Sequence, residues 1–157
     1  MSIQELKEGD IAPPIHVQDD KGADFDLAAL HGKNVVLYFY PKADTPGCTK
    51  ESCEFRDSSA RFTKQDTVIV GVSPDKSAAQ SKFKAKFDLP FTLLADVEHA
   101  VSEAYGVWKE KSMYGKKYMG IDRTTFLIGK DGTIARIFSK VKPEGHAEQV
   151  FAALQAM

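Results

Sequence analysis

Two runs of apolar residues stand out in the first half of the chain, and each has the length of a β-strand. They read NVVLYFY, from Asn34 to Tyr40, and TVIVGVS, from Thr67 to Ser73. Runs that are apolar at successive positions are typical of strands covered on both faces, as in parallel sheets. The segment between them, CTKESCEFRDSSARFTK, has helical length and places two phenylalanines on one face. We therefore predict a strand–helix–strand unit.

Turn residues on either side of this unit predict further elements. Before it, IHVQ and DFDL flank the turn Asp20-Lys21-Gly22, a pattern typical of a β-hairpin. After it, Ser77 to Gln80 predicts a capping box at the start of a second helix, which ends near Leu89-Pro90. The apolar stripe expected on that helix consists of Ala79, Phe83 and Phe87.

The second half of the chain continues the alternation of strands and helices. FTLLAD predicts a third strand, and the Asp96 that ends it predicts the cap of a short helix stopping at Gly106. TTFLIG and TIARIF predict two more strands, joined by the hairpin turn Lys130-Asp131-Gly132. The segment after Pro143 predicts the last helix. The inward positions expected are Val97, Val101 and Ala104 in the short helix, and Ala147, Val150, Phe151 and Leu154 in the last one.

This order of elements indicates an α/β fold, with a central mixed β-sheet flanked by helices on both faces and an N-terminal β-hairpin. The sequence has no internal repeat, low-complexity tract or linker. A chain of 157 residues can bury roughly 70% of the surface that it exposes when unfolded. We therefore predict a single domain, residues 1–157, that needs no disulfide or structural metal to fold.

Composition and charge exclude several classes of function. The formal net charge of -1 gives no basic field for nucleic acid or for an anionic membrane. No apolar run approaches the ~20 residues that a membrane span requires. The N-terminal stretch MSIQELKEGDIAPP has no basic start or apolar block of the kind found in signal peptides. Two cysteines are too few for a secreted disulfide scaffold, so we expect a cytoplasmic protein.

Both cysteines, Cys48 and Cys53, fall in the helix predicted between the first two strands. In a helix, residues five apart lie about 140° apart around the axis, with Cα atoms roughly 8 to 9 Å apart. A disulfide needs Cα atoms closer than about 7 Å, so the pair can bond only if the first helical turns unwind. A bond that requires the helix to unwind favours a transient disulfide over a permanent structural one. Free cysteines often simply pack in a core, so a packing role stays open.

The position of Cys48 favours a reactive thiol. Thr45-Pro46-Gly47 supplies a possible N-cap and an initial proline, which places Cys48 in the first helical turn. There, unpaired backbone N–H groups and the positive end of the helix dipole favour a thiolate. A metal site is less well supported, because Cys-x4-Cys has no second pair and the histidines are scattered. We expect each of them to be a surface or loop residue: His16, His31, His99 and His146. A cysteine hydrolase using one as its base stays open, although no local signature supports it.

The run Pro41-Lys-Ala-Asp-Thr45-Pro-Gly-Cys48 resembles the peroxiredoxin active-site motif P-x-x-x-T-x-x-C. The continuation TKESC is similar to the PrxQ subfamily, also called bacterioferritin comigratory protein. The resemblance extends from KEGDIAPP to the helix after Pro143. It implies a thioredoxin-like fold, which agrees with the order of elements above. It also implies thiol-dependent reduction of hydrogen peroxide and organic hydroperoxides.

The resemblance assigns a role to each matching residue. Cys48 matches the peroxidatic cysteine, which attacks the peroxide and becomes a sulfenic acid, and Cys53 matches the resolving cysteine, which then forms an intramolecular disulfide. Thr45 matches the threonine that hydrogen-bonds the thiolate and the peroxide. Arg123 matches the active-site arginine, and Pro41 the residue that shields the pocket from water. The substrate contacts implied are Thr45, Gly47, Cys48 and Arg123.

Glu51 matches a position that commonly holds an acidic residue or glutamine in the family and helps to orient the arginine there. Its place in the first helical turn has an equally good explanation in the helix dipole. A cation for the thiolate must come from another element, because Arg56 lies about 12 Å up the helix axis. Without the resemblance, Thr45 could be only an N-cap, Pro41 only a strand terminator and Arg123 only a solvated charge.

The resemblance implies no cofactor and no metal, and it implies thioredoxin, or alternatively glutaredoxin, as the reductant. Many relatives are monomers, and nothing in the sequence argues for an obligate interface. Two other classes stay open. The first is a disulfide oxidoreductase, whose usual Cys-x-x-Cys motif is absent. The second is a non-enzymatic redox sensor or chaperone, which would react slowly with peroxide or not recycle with thioredoxin.

Overall fold

The computed structural model describes residues 6–157, so the first five residues of the predicted domain lie outside the described part. No helix among the described residues is long and apolar enough to cross a membrane. A short 3₁₀ helix, Leu27–Leu30, follows the first hairpin. The elements in chain order are β1 (His16–Asp19), β2 (Asp24–Asp26), β3 (Asn34–Phe39), α1 (Pro46–Lys64), β4 (Thr67–Ser73), α2 (Ser77–Phe87), β5 (Thr92–Ala95), α3 (Ala100–Ala104), β6 (Trp108–Met113), β7 (Lys116–Ile121), β8 (Thr124–Ile128), β9 (Ile134–Phe138) and α4 (His146–Gln155).

A mixed sheet forms the centre of the molecule. Within residues 6–157, seven strands form it in the order β2-β1-β5-β4-β3-β8-β9. β3 pairs in parallel with β4, and β4 in parallel with β5, whereas β8 runs antiparallel to β3. The predicted mixed sheet and its N-terminal hairpin, β1 with β2, are confirmed.

The central strand β3 separates two apolar clusters, which explains why its sequence has no polar alternation. One cluster contains side chains from α1, α2 and α4, and the other contains side chains from the short α3. Helices therefore lie on both faces, as predicted. In and just after β3, the residues facing the first cluster are Val36, Tyr38 and Tyr40, and those facing the second are Val35, Leu37 and Phe39.

The capping box predicted at the start of α2 is wrong. α2 begins at Ser77 with Lys76 at the N-cap, and the Ser77 hydroxyl donates to the carbonyl of Asp19 (2.8 Å). The side chain of Gln80 does not reach back to the N-cap but is fully buried in the protein. A long-range contact to β1 has therefore replaced the local pairing.

Gln80 also takes the inward position that was predicted for Ala79 in α2. Its amide oxygen accepts from the Tyr40 hydroxyl (2.5 Å), and its amide nitrogen donates to Ser73 Oγ (2.9 Å). A buried amide with such partners is satisfied. Ala79, predicted to face inward, is exposed instead, while Phe83 is buried as expected.

The short helix α3 begins four residues later than the cap predicted for it. The carboxylate of Asp96 nevertheless accepts from the backbone N–H groups of Val101 (3.1 Å) and Ser102 (2.8 Å). Asp96 thus holds the first turn from outside the helix. The inward direction is correct for Val101 but wrong for Val97 and Ala104, which are exposed.

The hairpin of β6 and β7 was not predicted from the sequence. Among the described residues these strands pair only with each other. The turn between them is Tyr114-Gly115, with φ of 52° and 77°. Two successive positive φ values are typical of the tight turns that match the strand twist of a hairpin. Since both strands are largely exposed, their sequences lack the alternation that marks a half-buried strand.

Candidate active site

The loop between β3 and α1 carries the motif that the sequence singled out. Pro41 is half-buried at the start of this loop. The backbone N–H of Ala43 donates to Oδ2 of Asp75 (2.7 Å), which ties the loop to the segment after β4. Thr45 stands at the N-cap of α1 with extended backbone, and a proline follows it. Cys48 therefore lies in the first helical turn, as predicted.

The Thr45 hydroxyl makes a contact that the sequence did not predict. It donates to the carbonyl of Lys42 (2.8 Å). Among the described residues, it makes no side-chain capping bond to α1. Its proton is thus used within the loop, while its oxygen keeps lone pairs. In this state the hydroxyl can accept a hydrogen bond from a peroxide O–H but cannot donate one to Cys48.

Cys48, Glu51 and Arg123 are brought together at the start of α1. The Cys48 side chain is fully buried, and its Sγ accepts from Nη2 of Arg123 (3.3 Å). Nη1 of Arg123 donates to Oε1 of Glu51 (2.6 Å). One guanidinium therefore bridges the sulfur and a carboxyl group that lie one turn apart on the same helix.

The sheet topology explains how Arg123 reaches Cys48. β8 pairs antiparallel with β3, and the register places Thr124 opposite Phe39. Arg123 directly precedes β8, so it lies at the end of β3 from which the chain passes to α1. Its carbonyl also accepts from the N–H of Val141 (3.0 Å), which fixes the backbone at this point.

Gly47 leaves space for the guanidinium. A Cβ atom at this position would lie 3.3 Å from Nη2 of Arg123 and 3.5 Å from Cγ of Pro143. A contact at the shorter distance forces the neighbouring group to move by a few tenths of an ångström. The absence of a side chain at Gly47 thus allows the observed approach of Arg123 to Cys48.

We expect Gly47→Ala to lower the rate of Cys48 oxidation by peroxide by about tenfold or less, since deleting a donor outright costs about 10²–10³. The free energy of unfolding should stay unchanged or rise by up to about 1 kcal/mol, because alanine is favoured over glycine within a helix. Stopped-flow oxidation and urea unfolding measure the two effects, with the exposed Lys50→Ala as the control. An unchanged oxidation rate would show that Arg123 tolerates the methyl group.

Burial dominates the electrostatics of the site. The side chain of Glu51 is only 1% exposed, and burial raises its pKa to about 7 although Arg123 opposes the rise. Within residues 6–157, Oε2 of Glu51 has no hydrogen-bond partner. Burial alone would lower the pKa of Arg123, but Glu51 and Cys48 raise it overall, so the guanidinium stays charged.

Cys53 lies in the second turn of α1, partly buried, and both cysteines are free thiols. The helix is continuous from Pro46 to Lys64 and so includes both of them. Helical geometry keeps their Cα atoms roughly 8 to 9 Å apart, too far for a disulfide. The structure therefore shows the dithiol form with its helix intact.

The sequence did not predict the contacts that hold the first half of α1 in place. The hydroxyls of Tyr38 and Ser52 form a buried hydrogen bond (2.8 Å). The carboxylate of Glu54 accepts from the N–H of Gly145 (2.8 Å) at the start of α4. The partners are at least 14 residues apart along the chain, so no local pattern reveals them. They tie the residues on both sides of Cys53 to the sheet and to α4.

The expectation that every histidine lies at the surface or in a loop is wrong for His146. This side chain is buried, with Nε2 2.7 Å from Thr125 Oγ1 and Nδ1 3.1 Å from Gln149 Oε1. Its ring packs edge-on against Phe55 of α1. Burial lowers the pKa of His146, so the ring is neutral near pH 7. Across the described residues, no three His, Cys, Asp or Glu side chains cluster as a metal site would require.

Comparison with known proteins agrees with this geometry. The sequence pattern of the AhpC/TSA family matches residues 9–137. Peroxiredoxin Bcp of Bacillus subtilis is 48% identical over 152 residues, which cover 97% of each chain. Peroxiredoxin Bcp of Escherichia coli is 45% identical over 145 residues, covering 92% of this chain and 93% of that one.

Solved structures give the same result. Xanthomonas campestris peroxiredoxin Q superposes with a TM-score of 0.86 at 41% identity, over 90% of each chain. Xylella fastidiosa PrxQ superposes with a TM-score of 0.92 at 33% identity, over 98% of each chain. A mixed sheet of this topology and a cysteine at a helix start define a thioredoxin-like protein of the peroxiredoxin class. The chain belongs to the AhpC/TSA family, and its relatives are peroxiredoxins of the Bcp and PrxQ type. The predicted family and fold are confirmed, and membership implies a thiol peroxidase.

Proposed function

We propose that this protein reduces hydrogen peroxide and organic hydroperoxides through a two-cysteine cycle of Cys48 and Cys53. The observation that carries this proposal is the buried Sγ of Cys48, at the start of α1 and 3.3 Å from Nη2 of Arg123. Work on the Xanthomonas campestris bacterioferritin comigratory protein concerns its alkyl peroxide reduction activity. That relative supports organic hydroperoxides as substrates of this chain.

In the first step, the sulfur of Cys48 attacks one oxygen of the peroxide. The S–O bond forms as the O–O bond breaks, so the sulfur is oxidised to a sulfenic acid and the peroxide is reduced. The departing oxygen leaves as water or an alcohol once it has gained a proton. Negative charge develops on it, and Arg123 and the N–H groups of the first turn of α1 are the donors placed to stabilise that charge.

These donors must do more than ionise the thiol. A generic cysteine with a pKa near 8.5 is about 3% thiolate at pH 7, so full ionisation raises the reactive fraction only about thirtyfold. A thiolate of lower pKa is also a weaker nucleophile, by roughly tenfold over the same range. The net gain is a few-fold. Stabilisation of the breaking O–O bond must therefore supply most of the rate.

In the second step, Cys53 attacks the sulfenic sulfur of Cys48. The S–S bond forms, the S–O bond breaks and water leaves. Because α1 keeps the two residues too far apart, its first turns must unwind. Unwinding breaks the bond between Ser52 and Tyr38 and removes Glu54 from the start of α4.

The second half of α1 is anchored separately. Arg61 pairs with Glu148 of α4, and its guanidinium lies 4.0 Å from the ring centroid of Phe151. The ring of Phe62 packs edge-on against Phe151, with centroids 5.3 Å apart. These contacts do not involve the segment between the cysteines. Unwinding can therefore stop before Arg61.

We expect oxidation to accelerate amide hydrogen exchange in residues 46–56 by at least about tenfold, because these residues lose helical hydrogen bonds. Residues 58–64 should exchange equally slowly in both states. The measurement is hydrogen exchange with peptide-level mass spectrometry on the dithiol and on the peroxide-treated protein. Oxidised Cys53→Ser, which cannot form the bond, is the control. Unchanged exchange in residues 46–56 would contradict the unwinding step.

We further propose that thioredoxin reduces the disulfide, that glutaredoxin is the alternative donor, and that the protein works as a cytoplasmic monomer. The test is peroxide consumption coupled to thioredoxin, thioredoxin reductase and NADPH. We expect steady turnover by the wild type, none by Cys48→Ser, and arrest of Cys53→Ser after one equivalent. If only glutaredoxin with glutathione supports turnover, glutaredoxin takes the place of thioredoxin as the reductant. Failure with both donors would point to a redox sensor.

A further inference from the structure

Two acidic groups face one cation in the buried pocket of α1. The thiol of Cys48 and the carboxyl of Glu51 both bond to the guanidinium of Arg123, at 3.3 Å and 2.6 Å. The side chains of Glu51 and Arg123 are 1% and 15% exposed, and Cys48 is fully buried. If both acids were ionised, two negative charges would share one positive charge away from water. Burying such an unbalanced charge is costly.

Among residues 6–157, the titratable side chains packed around this pocket do not balance the extra charge. Glu54, one turn further along α1, has the same sign as Glu51 and opposes its ionisation. Tyr38 of β3 is buried with its pKa raised well above the ordinary value, so it stays neutral. His146 of α4 is neutral near pH 7 for the reason given above. Arg123 is thus the cation that acts on both acids.

The carboxyl of Glu51 has a free position for a proton. Its Oε1 accepts from Arg123, whereas Oε2 has no hydrogen-bond partner among residues 6–157. A carboxylate oxygen buried without a donor is unfavourable, and protonation of that oxygen removes its charge. The raised pKa of Glu51 agrees with this arrangement.

We propose that Cys48 and Glu51 hold one proton between them in the reduced enzyme, and that this proton leaves on the oxygen released from the peroxide. The inference rests on the proposed function. The reduced pair, with one proton and a net charge of minus one, reacts with ROOH to give the sulfenic acid of Cys48, the carboxylate of Glu51 and ROH. The S–O bond forms, the O–O bond breaks, and solvent supplies no proton. The negative charge stays beside Arg123 throughout.

The test counts protons during a single oxidation. Reduced Cys53→Ser is mixed with one equivalent of hydrogen peroxide in weakly buffered solution near pH 8, above the pKa of about 7 of Glu51, so that the carboxylate left after oxidation takes up little proton from solvent. Phenol red reports proton uptake. We expect fewer than about 0.3 protons per sulfenic acid formed. The double variant Cys53→Ser, Glu51→Gln keeps an oxygen to accept from Arg123 but holds no carboxyl proton. We expect it to take up close to one proton.

Uptake of one proton by Cys53→Ser itself would overturn the inference, because the pair would then have been fully ionised. Zero uptake in both variants would overturn it too, since the proton would not depend on Glu51. If the double variant fails to fold, uptake of one proton by Cys53→Ser alone still overturns the inference. Intact mass distinguishes a failure of the proposed function from a failure of this inference alone. No gain of an oxygen atom means that the proposed function fails, whereas a gained oxygen with one proton taken up means that only the inference fails.

Discussion

Arg123→Ala is expected to lower the rate of Cys48 oxidation by hydrogen peroxide by about 10²–10³, the usual effect of deleting a donor that stabilises transition-state charge. The guanidinium is the one side-chain donor to Cys48 Sγ among the described residues. Its loss removes both a partner for the sulfur and a donor for the departing oxygen. Alkylation of Cys48 by iodoacetamide should fall far less, because that reaction needs only the thiolate.

Two further variants separate these effects. Arg123→Lys keeps the charge but cannot bond to the sulfur and to Glu51 through one planar group, so it should recover only part of the rate. Arg136→Ala is the control for removal of an arginine, because Arg136 is exposed on β9 and pairs with Glu8. Stopped-flow oxidation and iodoacetamide kinetics would be compared for all three. Equal losses with both reagents in Arg123→Ala would show that the arginine acts only by ionising the thiol.

Glu51→Gln is expected to change the pH dependence of stability by about 3 kcal/mol. The pKa of Glu51 rises from 4.5 in the unfolded chain to about 7 in the folded protein, at about 1.4 kcal/mol per pKa unit. The folded protein therefore binds this proton more tightly than the unfolded chain. The protonated carboxyl of Glu51 therefore contributes to the free energy of unfolding at low pH. This contribution is lost as the pH rises from 4.5 to about 7, and the protein stays less stable at higher pH. Glutamine has no such proton, so the free energy of unfolding of the variant does not fall over this pH range.

Urea unfolding of the reduced protein at about pH 5 and about pH 8 measures this difference. Relative to the wild type, Glu51→Gln should gain about 2.5 kcal/mol between the two values, because part of the full effect lies below about pH 5. His146 has a lowered pKa and acts in the opposite direction, since its contribution is lost as the pH falls, but it is present in both proteins. Glu103→Gln, an exposed carboxyl on α3, is the matched control. Parallel pH profiles for Glu51→Gln and the wild type would show that Glu51 is ionised in the folded state.

The sequence predicted the parts of the fold that depend on local pattern. The seven-residue apolar runs at β3 and β4 show their burial directly, because both faces of these strands are covered. The motif from Pro41 to Cys48 predicts the turn into α1, since a proline in the first helical turn needs no N–H donor there, although Thr45 at the N-cap makes no side-chain capping bond within the described chain. Contacts between distant segments have no local sequence pattern, so they were not predicted. Gln80 matched a capping box locally, but Tyr40 and Ser73 held its side chain in the interior.

The same distinction applies to the site. Cys48 and Cys53 lie on one helix, so their spacing related them, whereas the role of Glu51 came from the family resemblance. Arg123 depended on the family resemblance, because its place beside Cys48 follows from the antiparallel register of β8 on β3. The orphaned oxygen of Glu51 had no sequence signature, since it reflects the donors that surround a buried carboxyl.

The measurement that most directly tests the two-cysteine cycle is the intact mass of the reduced protein seconds after one equivalent of hydrogen peroxide, with remaining thiols trapped. The cycle predicts loss of both free thiols and an intramolecular bond between Cys48 and Cys53. It also predicts that Cys53→Ser stops at a sulfenic acid on Cys48. If both thiols of the wild type remain free, or if the oxygen is found on Cys53, the cycle proposed here is contradicted.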